Sequence, residues 1–182
     1  MIINPRRAIA EGWIKGITDE DKQVQPNAID FTLDELWSIN NNLAVISEGG
    51  KQMRGGGKSE PVPARDGSGS YWTLSPGVYD CLSDMYVEVP EGVAAQLVIR
   101  STFARNGMFL VAGLYDSGFK GRIGFCLHVP QPMLADIGPL TKIGAGTRVG
   151  QIIFVEASPS GVMYAGQYNH AVGTIAPHMK AN

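Results

Sequence analysis

The stretch RSTFARNGMFLVAGLYDSGFKGRIGF, residues 100–125, gathers groups that could handle a phosphorylated substrate. Arg100, Ser101, Thr102 and Arg105 set guanidinium forks beside hydroxyls, a combination that grips anionic oxygens through charge-assisted and bidentate hydrogen bonds. Further along, Asp116 is a lone carboxylate in the turn YDSG, and a carboxylate beside a bound phosphate can take the proton of an attacking water. Taken separately, each has an ordinary use. Arginines at a loop end form solvated ion pairs, and an Asp that opens a turn accepts local backbone N–H groups. It is the anion grip followed by a carboxylate turn that points to chemistry at a phosphate.

Two apolar runs must hold that turn. NGMFLVAGL and KGRIGFCLHV read as strands joined through YDSGFKG, in which Asp-Ser-Gly supplies turn chemistry. Upstream, Ile29, Phe31 and Leu33 alternate with Asp30, Thr32 and Asp34, so a strand is expected with Asp30 facing away from the apolar set. Residues 5–16 predict a short helix, with Pro5 in its first turn and Gly16 as its stop. The segment from Gly49 to Ser70 is rich in Gly, Ser and charge and is expected to be a mobile excursion. From Tyr71 onward, short β-prone runs separated by Gly, Pro, Asn and Asp predict a mainly β chain of barrel or jelly-roll type. The tail, residues 167–182, has no clear period and reads as an arm.

Composition bounds the rest. With 182 residues and 44% hydrophobic content, one domain spanning residues 1–182 is expected. A formal net charge of −2 argues against a nucleic-acid partner, whose binding draws on clustered Lys and Arg, but leaves free nucleotides open. The two cysteines, Cys81 and Cys126, form neither a metal-ligand spacing nor a disulfide framework, which suits the reducing cytoplasm. No signal-peptide core and no apolar run of about 20 residues is present, so neither export nor a membrane partner is expected.

Four spaced motifs in order resemble the superfamily of deoxyuridine triphosphatases and deoxycytidine triphosphate deaminases. VQPNAIDFTL is similar to a first motif in which a Gln-Pro pair precedes a strand carrying an Asp, here Asp30. VIRSTFAR is similar to the deaminase branch's Arg-Ser-Ser-Leu-(Ala/Gly)-Arg, with Thr102 and Phe103 replacing the second Ser and the Leu. AGLYDSGFKG resembles the third motif and GTRVGQIIF the fourth. The resemblance implies a distorted β-barrel or jelly roll with a short N-terminal helix, assembled as a homotrimer with active sites shared between subunits. It implies that Arg100, Ser101, Thr102, Arg105 and Gln151 meet the phosphates of a deoxypyrimidine triphosphate, and that Asp116 holds the water. Backbone groups around Gly113, Leu114 and Tyr115 would read the base, while Phe119 packs on the deoxyribose. Tyr168 and Gly173 would belong to an arm that closes over the substrate. Mg²⁺ would be carried mainly by phosphate oxygens and water, with no dedicated metal ligands in the protein.

Departures from the motifs choose between branches. The deaminase branch carries a Glu at the position that, counted on from Gly121, falls on Cys126. A thiol in an apolar strand is a poor proton shuttle, whereas Asp116 is retained. The resemblance therefore implies a triphosphatase converting dUTP and water to dUMP and diphosphate. One alternative is a dCTP deaminase whose shuttle has moved to His128. Another is a nucleotide-binding regulator without turnover, suggested by Val172, which stands where a phosphate-binding Gln is usual, and by the ending APHM.

Overall fold

A computed structural model describes residues 1–131, 141–166, 168 and 169, with the backbone alone for Lys51. Helix α1 (Pro5–Ala10) starts on Asn4, whose Oδ1 accepts the Arg6 N–H at 2.9 Å. It stops well short of Gly16. Gly12, at φ 73°, takes the left-handed position of a Schellman ending, with Trp13 N–H bonded to Ala8 O at 2.9 Å and Gly12 N–H to Ile9 O at 3.0 Å. The chain continues through β1 (Ile14–Lys15), α2 (Glu20–Gln23) and β2 (Ile29–Thr32).

The strands that follow are β3 (Glu35–Ile39), β4 (Val45–Ser47), β5 (Gly50–Gln52), β6 (Gly56–Ser59) and β7 (Val62–Pro63). Residues 49–70, expected to be a mobile excursion, carry strands. Strand β6 pairs antiparallel with β3, and a Cβ on Gly56 would stand 2.5 Å from Ser38 O. Backbone ladders ask nothing of side-chain hydrophobicity, and here glycine permits the approach. Next come β8 (Ser70–Leu74), β9 (Gly77–Glu88), β10 (Val93–Ile99), α3 (Ser101–Arg105), β11 (Phe109–Val111), β12 (Lys120–Val129), β13 (Thr141–Gly144) and β14 (Arg148–Glu156).

A six-stranded sheet runs β11-β12-β9-β3-β6 with β1 also on β9, and a three-stranded sheet runs β10-β14-β2. Their inner faces meet across one core, where the rings of Phe31 on β2 and Phe125 on β12 lie 5.3 Å apart. Each large apolar side chain buried there contributes about 1.5–3 kcal/mol. The architecture is thus mainly β and of the sheet-on-sheet kind that the turn-punctuated runs predicted. Strand β12 alternates without a break: Gly121, Ile123, Phe125, Leu127 and Val129 are buried, while Arg122, Gly124, Cys126 and His128 point to the other face. No helix among the described residues is long and apolar enough to cross a membrane.

Candidate active site

The turn that carries Asp116 is fastened on three sides. Tyr115 exchanges both backbone bonds with Ala95 of β10, each at 2.9 Å, and the Asp116 carbonyl accepts the Phe119 N–H at 3.0 Å. Ser117 Oγ donates to Val93 O at 2.7 Å, and Gly118 N–H to Val89 O at 2.7 Å. Gly118 adopts φ 92°, and a Cβ there would stand 2.8 Å from Tyr164 N, so the chain near residue 164 folds directly onto the turn. Asn169 adds a clamp: its Oδ1 accepts the Lys120 N–H at 2.8 Å and its Nδ2 donates to Tyr164 O at 3.0 Å. The Asp116 side chain itself is exposed, and no described side chain bonds to its carboxylate.

Beside the turn lies a cavity of about 490 Å³. One wall is aromatic: Tyr115 and Phe119 meet edge to face at 4.8 Å, and Phe119 meets Tyr164 at 5.7 Å. The Tyr115 hydroxyl donates to Gly124 O at 2.8 Å and accepts the Gly124 N–H at 3.0 Å; burial pushes this phenol well up. Ala112, Gly113 and Leu114 form the rim, Tyr168 lines the cavity, and Met53 reaches it from the polar segment. The backbone N–H and C=O of Tyr115 are both bonded to Ala95.

The floor is the outer face of the large sheet. Cys126 on β12 lies directly across the ladder from Asp80 on β9, and both line the cavity. Burial pushes the Cys126 thiol above its ordinary value and the Asp80 charge adds to this, so the nucleophilic thiolate is disfavoured. His128 does not line the cavity; its ring stacks on Phe109 at 4.2 Å, with Nδ1 buried and unpartnered among the described residues. Arg122 lines the cavity but is committed, donating from Nε to Ser83 O at 2.8 Å, from Nη1 to Glu35 Oε1 at 2.7 Å and from Nη2 to Asp34 Oδ2 at 2.6 Å.

The predicted phosphate grip forms a separate cluster. Asp30, its side chain 2% exposed, faces away from Ile29 and Phe31 as expected but is roofed by its partners. Arg100 Nε approaches Asp30 Oδ2 at 3.2 Å, Arg148 Nη1 at 3.0 Å, and Gln151 Nε2 donates to Oδ1 at 2.8 Å. Arg148 also donates to Lys22 O, and Arg100 to Arg148 O at 3.0 Å. Arg148 and Gln151 would not share a face on a regular strand. A register shift between Arg148 and Gly150 places them opposite Thr32 and Asp30, on one side. Ser101, Thr102 and Arg105 are exposed on α3.

Arg100 and Gln151 are therefore brought together, and so are Gly113, Leu114, Tyr115, Phe119 and Tyr168, but neither the Asp30 cluster nor Asp116 lines the cavity. Gly173 and Val172 lie outside the described residues. Sequence reasoning missed Arg148, Asp80, Met53 and Asn169. Arg148 was signalled by the fourth motif itself; the other three come from neighbours far away in the chain.

A family model for dCTP deaminase-like proteins matches residues 4–157. The chain belongs to the dCTP deaminase-like family. Within it, the chain is 30% identical over 153 residues to a probable deoxyuridine 5'-triphosphate nucleotidohydrolase of Methanopyrus kandleri, covering 82% of this chain and 89% of that one. It is 32% identical over 110 residues to a protein of the same description from Methanococcoides burtonii; 60% of this chain matches, and it spans 62% of that relative's length. A dCTP deaminase of Acidianus ambivalens is 26% identical over 174 residues, covering 94% of this chain and 92% of that one. Among solved structures, the dCTP deaminase of Agrobacterium tumefaciens superposes with a TM-score of 0.57 at 17% identity, over 84% of this chain and 48% of that one, which is a likeness of fold. Its relatives thus include proteins described as deoxyuridine triphosphate nucleotidohydrolases and one described as a dCTP deaminase.

Proposed function

We propose that this protein hydrolyses a deoxypyrimidine triphosphate, dUTP to dUMP and diphosphate, as a homotrimer. One observation carries the reading: the Asp116 carboxylate is exposed and free of described side-chain partners, at the end of a rigidly fastened turn beside an aromatic-walled cavity. The base would enter between the rim at Ala112, Gly113 and Leu114 and the sheet floor, with Phe119 against the sugar. Asp116 would then accept the proton of the water attacking the α-phosphorus. Arg100, Gln151 and Arg148, held as a set on Asp30, would oppose the charge that develops on the phosphate oxygens.

Separation of this cluster from the cavity within one protomer supports a site completed between subunits. Exposed Phe109, Val111 and Leu114 around the cavity supply apolar surface for such a contact. The donor set fits an ion carried by its substrate: no group of three His, Cys, Asp or Glu converges among the described residues, whereas Asp116 offers a hard oxygen to hydrated Mg²⁺. Bound with the triphosphate, the ion would neutralise phosphate charge.

Diphosphate release from dUTP in the presence of Mg²⁺ tests the reading. Asp116→Asn is expected to lower kcat by about 10²–10⁴-fold, the usual share of a general base, without changing the melting temperature. Release at the parental rate by that variant would remove Asp116 from the role. No release by the unaltered protein would refute the function.

A further inference from the structure

Pro26 shapes the end of α2. In a continuing helix the Lys22 carbonyl would accept the N–H of residue 26, which proline lacks. The Gln25 N–H turns instead to Ala28 O at 2.9 Å. Lys22 O is thereby released to side chains: Gln25 Nε2 donates to it at 2.8 Å, and Arg148 Nη1 donates to it from β14. Arg148 Nη1 also donates to Asp30 Oδ2 at 3.0 Å, so two acceptors fix this one nitrogen, while Nε and Nη2 have no partner among the described residues. Those two nitrogens form the side-on fork of a guanidinium, the geometry that meets a phosphate bidentately. The position of the Lys22 carbonyl thus helps decide where the fork points.

Gln23 fixes that carbonyl. It is 2% exposed, and a polar side chain so buried has to be hydrogen-bonded within the protein. Its Oε1 accepts the N–H groups of Thr18 and Asp19, each at 2.9 Å, where the chain enters α2, and its Nε2 donates to Asp30 O at 3.2 Å. One carboxamide therefore joins the start of α2 to the strand residue whose carboxylate holds Arg100, Arg148 and Gln151. Asp19 completes the turn by accepting the Lys22 N–H at 3.2 Å.

We propose that Gln23 is a positioning residue for the anion grip: by locking α2 to Asp30 it aims the open fork of Arg148 at the phosphates of the substrate. This rests on the reading above that the Asp30 cluster meets a triphosphate. Gln23 touches no substrate; it acts through Lys22 and Arg148. Without its carboxamide, α2 and the Lys22 carbonyl lose their tie to β2. Arg148 then keeps its bond to Asp30 but swings about it. A swinging fork has to be ordered by the ligand, and the cost of that ordering is subtracted from the affinity.

The test couples Gln23→Met, close to glutamine in length but without its hydrogen bonds, to Arg148→Lys, which keeps a charge for Asp30 but has no fork. Titration calorimetry with inorganic tripolyphosphate reads the grip alone, and dUTP hydrolysis reads it during turnover. Arg148→Lys should weaken tripolyphosphate by about 10-fold, the lower end of what one hydrogen bond to a charged group contributes. Gln23→Met should weaken it by about 3- to 10-fold, since the fork tilts rather than disappears, and should raise KM for dUTP to match while changing kcat less. In the Arg148→Lys background Gln23→Met should change neither, although it lowers the melting temperature in both. A Gln23 that is only structural gives the same loss with either residue at position 148. That result, or an unchanged affinity in a folded Gln23→Met, overturns the proposal. If Gln23→Met does not fold, Asp19→Ala decides, because it removes the cap on the Lys22 N–H and should weaken tripolyphosphate only where Arg148 is present. The Arg148 charge also acts on the Asp19 carboxyl, so Asp19→Asn, which keeps a capping oxygen without the charge, is the control and should stay near the parent. Equal losses in the two Asp19 variants assign the effect to charge and overturn the proposal. Tripolyphosphate binding that depends on Arg148, with no turnover of dUTP, refutes the triphosphatase reading and leaves Gln23 in its role. No binding by the unaltered protein refutes the grip and its positioning together.

Discussion

Replacing Asp30 with Asn probes the cluster that orders the proposed phosphate grip. Asn is nearly isosteric and its oxygen can keep the Gln151 bond, but its amide nitrogen then faces the Arg100 and Arg148 guanidiniums, donor against donor. Removing one partner of a buried ion pair costs about 3–5 kcal/mol, because the remaining charge is left uncompensated. Here the carboxylate is 2% exposed but the arginine side chains are 29% and 28% exposed, so water recovers part of the loss. A cost of about 2–4 kcal/mol follows after that discount for solvent. For a chain of this size each kcal/mol moves the melting temperature by about 2–4 °C, giving a fall of roughly 4–16 °C. Calorimetry measures this directly, and KM for the nucleotide should rise in the same variant as Arg100 and Gln151 lose their common anchor. A fall below about 2 °C with unchanged KM would show that Asp30 neither stabilises the strands nor orders the grip.

Gly150→Ala is expected to destabilise towards the upper end of the roughly 1–3 kcal/mol of an overpacked core, because the new Cβ would stand 2.3 Å from Cζ of the fully buried Phe31; a denaturation midpoint equal to the parent's would mean that β2 and β14 can part freely. Stability should also fall in acid. Burial alone would raise the Glu35 carboxyl, but the bond and charge from Arg122, with the Trp37 N–H and Lys58, hold it below its ordinary value. A carboxylate depressed in the folded state contributes stability that is fully present above its unfolded pKa of about 4.3 and lost as pH falls through the folded value. Urea midpoints should thus drop below about pH 5, and Glu35→Gln should flatten that drop; an unchanged slope in the variant would exclude Glu35 as its source.

Much of the molecule was legible in the order of its residues, because the signals are local. The alternation of Ile123, Phe125 and Leu127 with Gly124 and Cys126 fixes which face of β12 enters the core. Ile29, Phe31 and Asp30 gave the facing of β2, and YDSG gave the turn. Other features belong to pairs of strands and have no local signature. The end of α1 was misread because the choice between Gly12 and Gly16 rests on which carbonyls the following N–H groups reach. The polar segment hid β6, since its pairing with β3 is a property of the backbone rather than of hydrophobic pattern. Arg148 and Gln151 converge on Asp30 through a register shift in the ladder, and Asp80 comes to lie beside Cys126 through the register of β9 on β12. Periodicity tells each strand which way to face; the partner strand, and the residue that ends up opposite, are settled only when the sheets close on their common core.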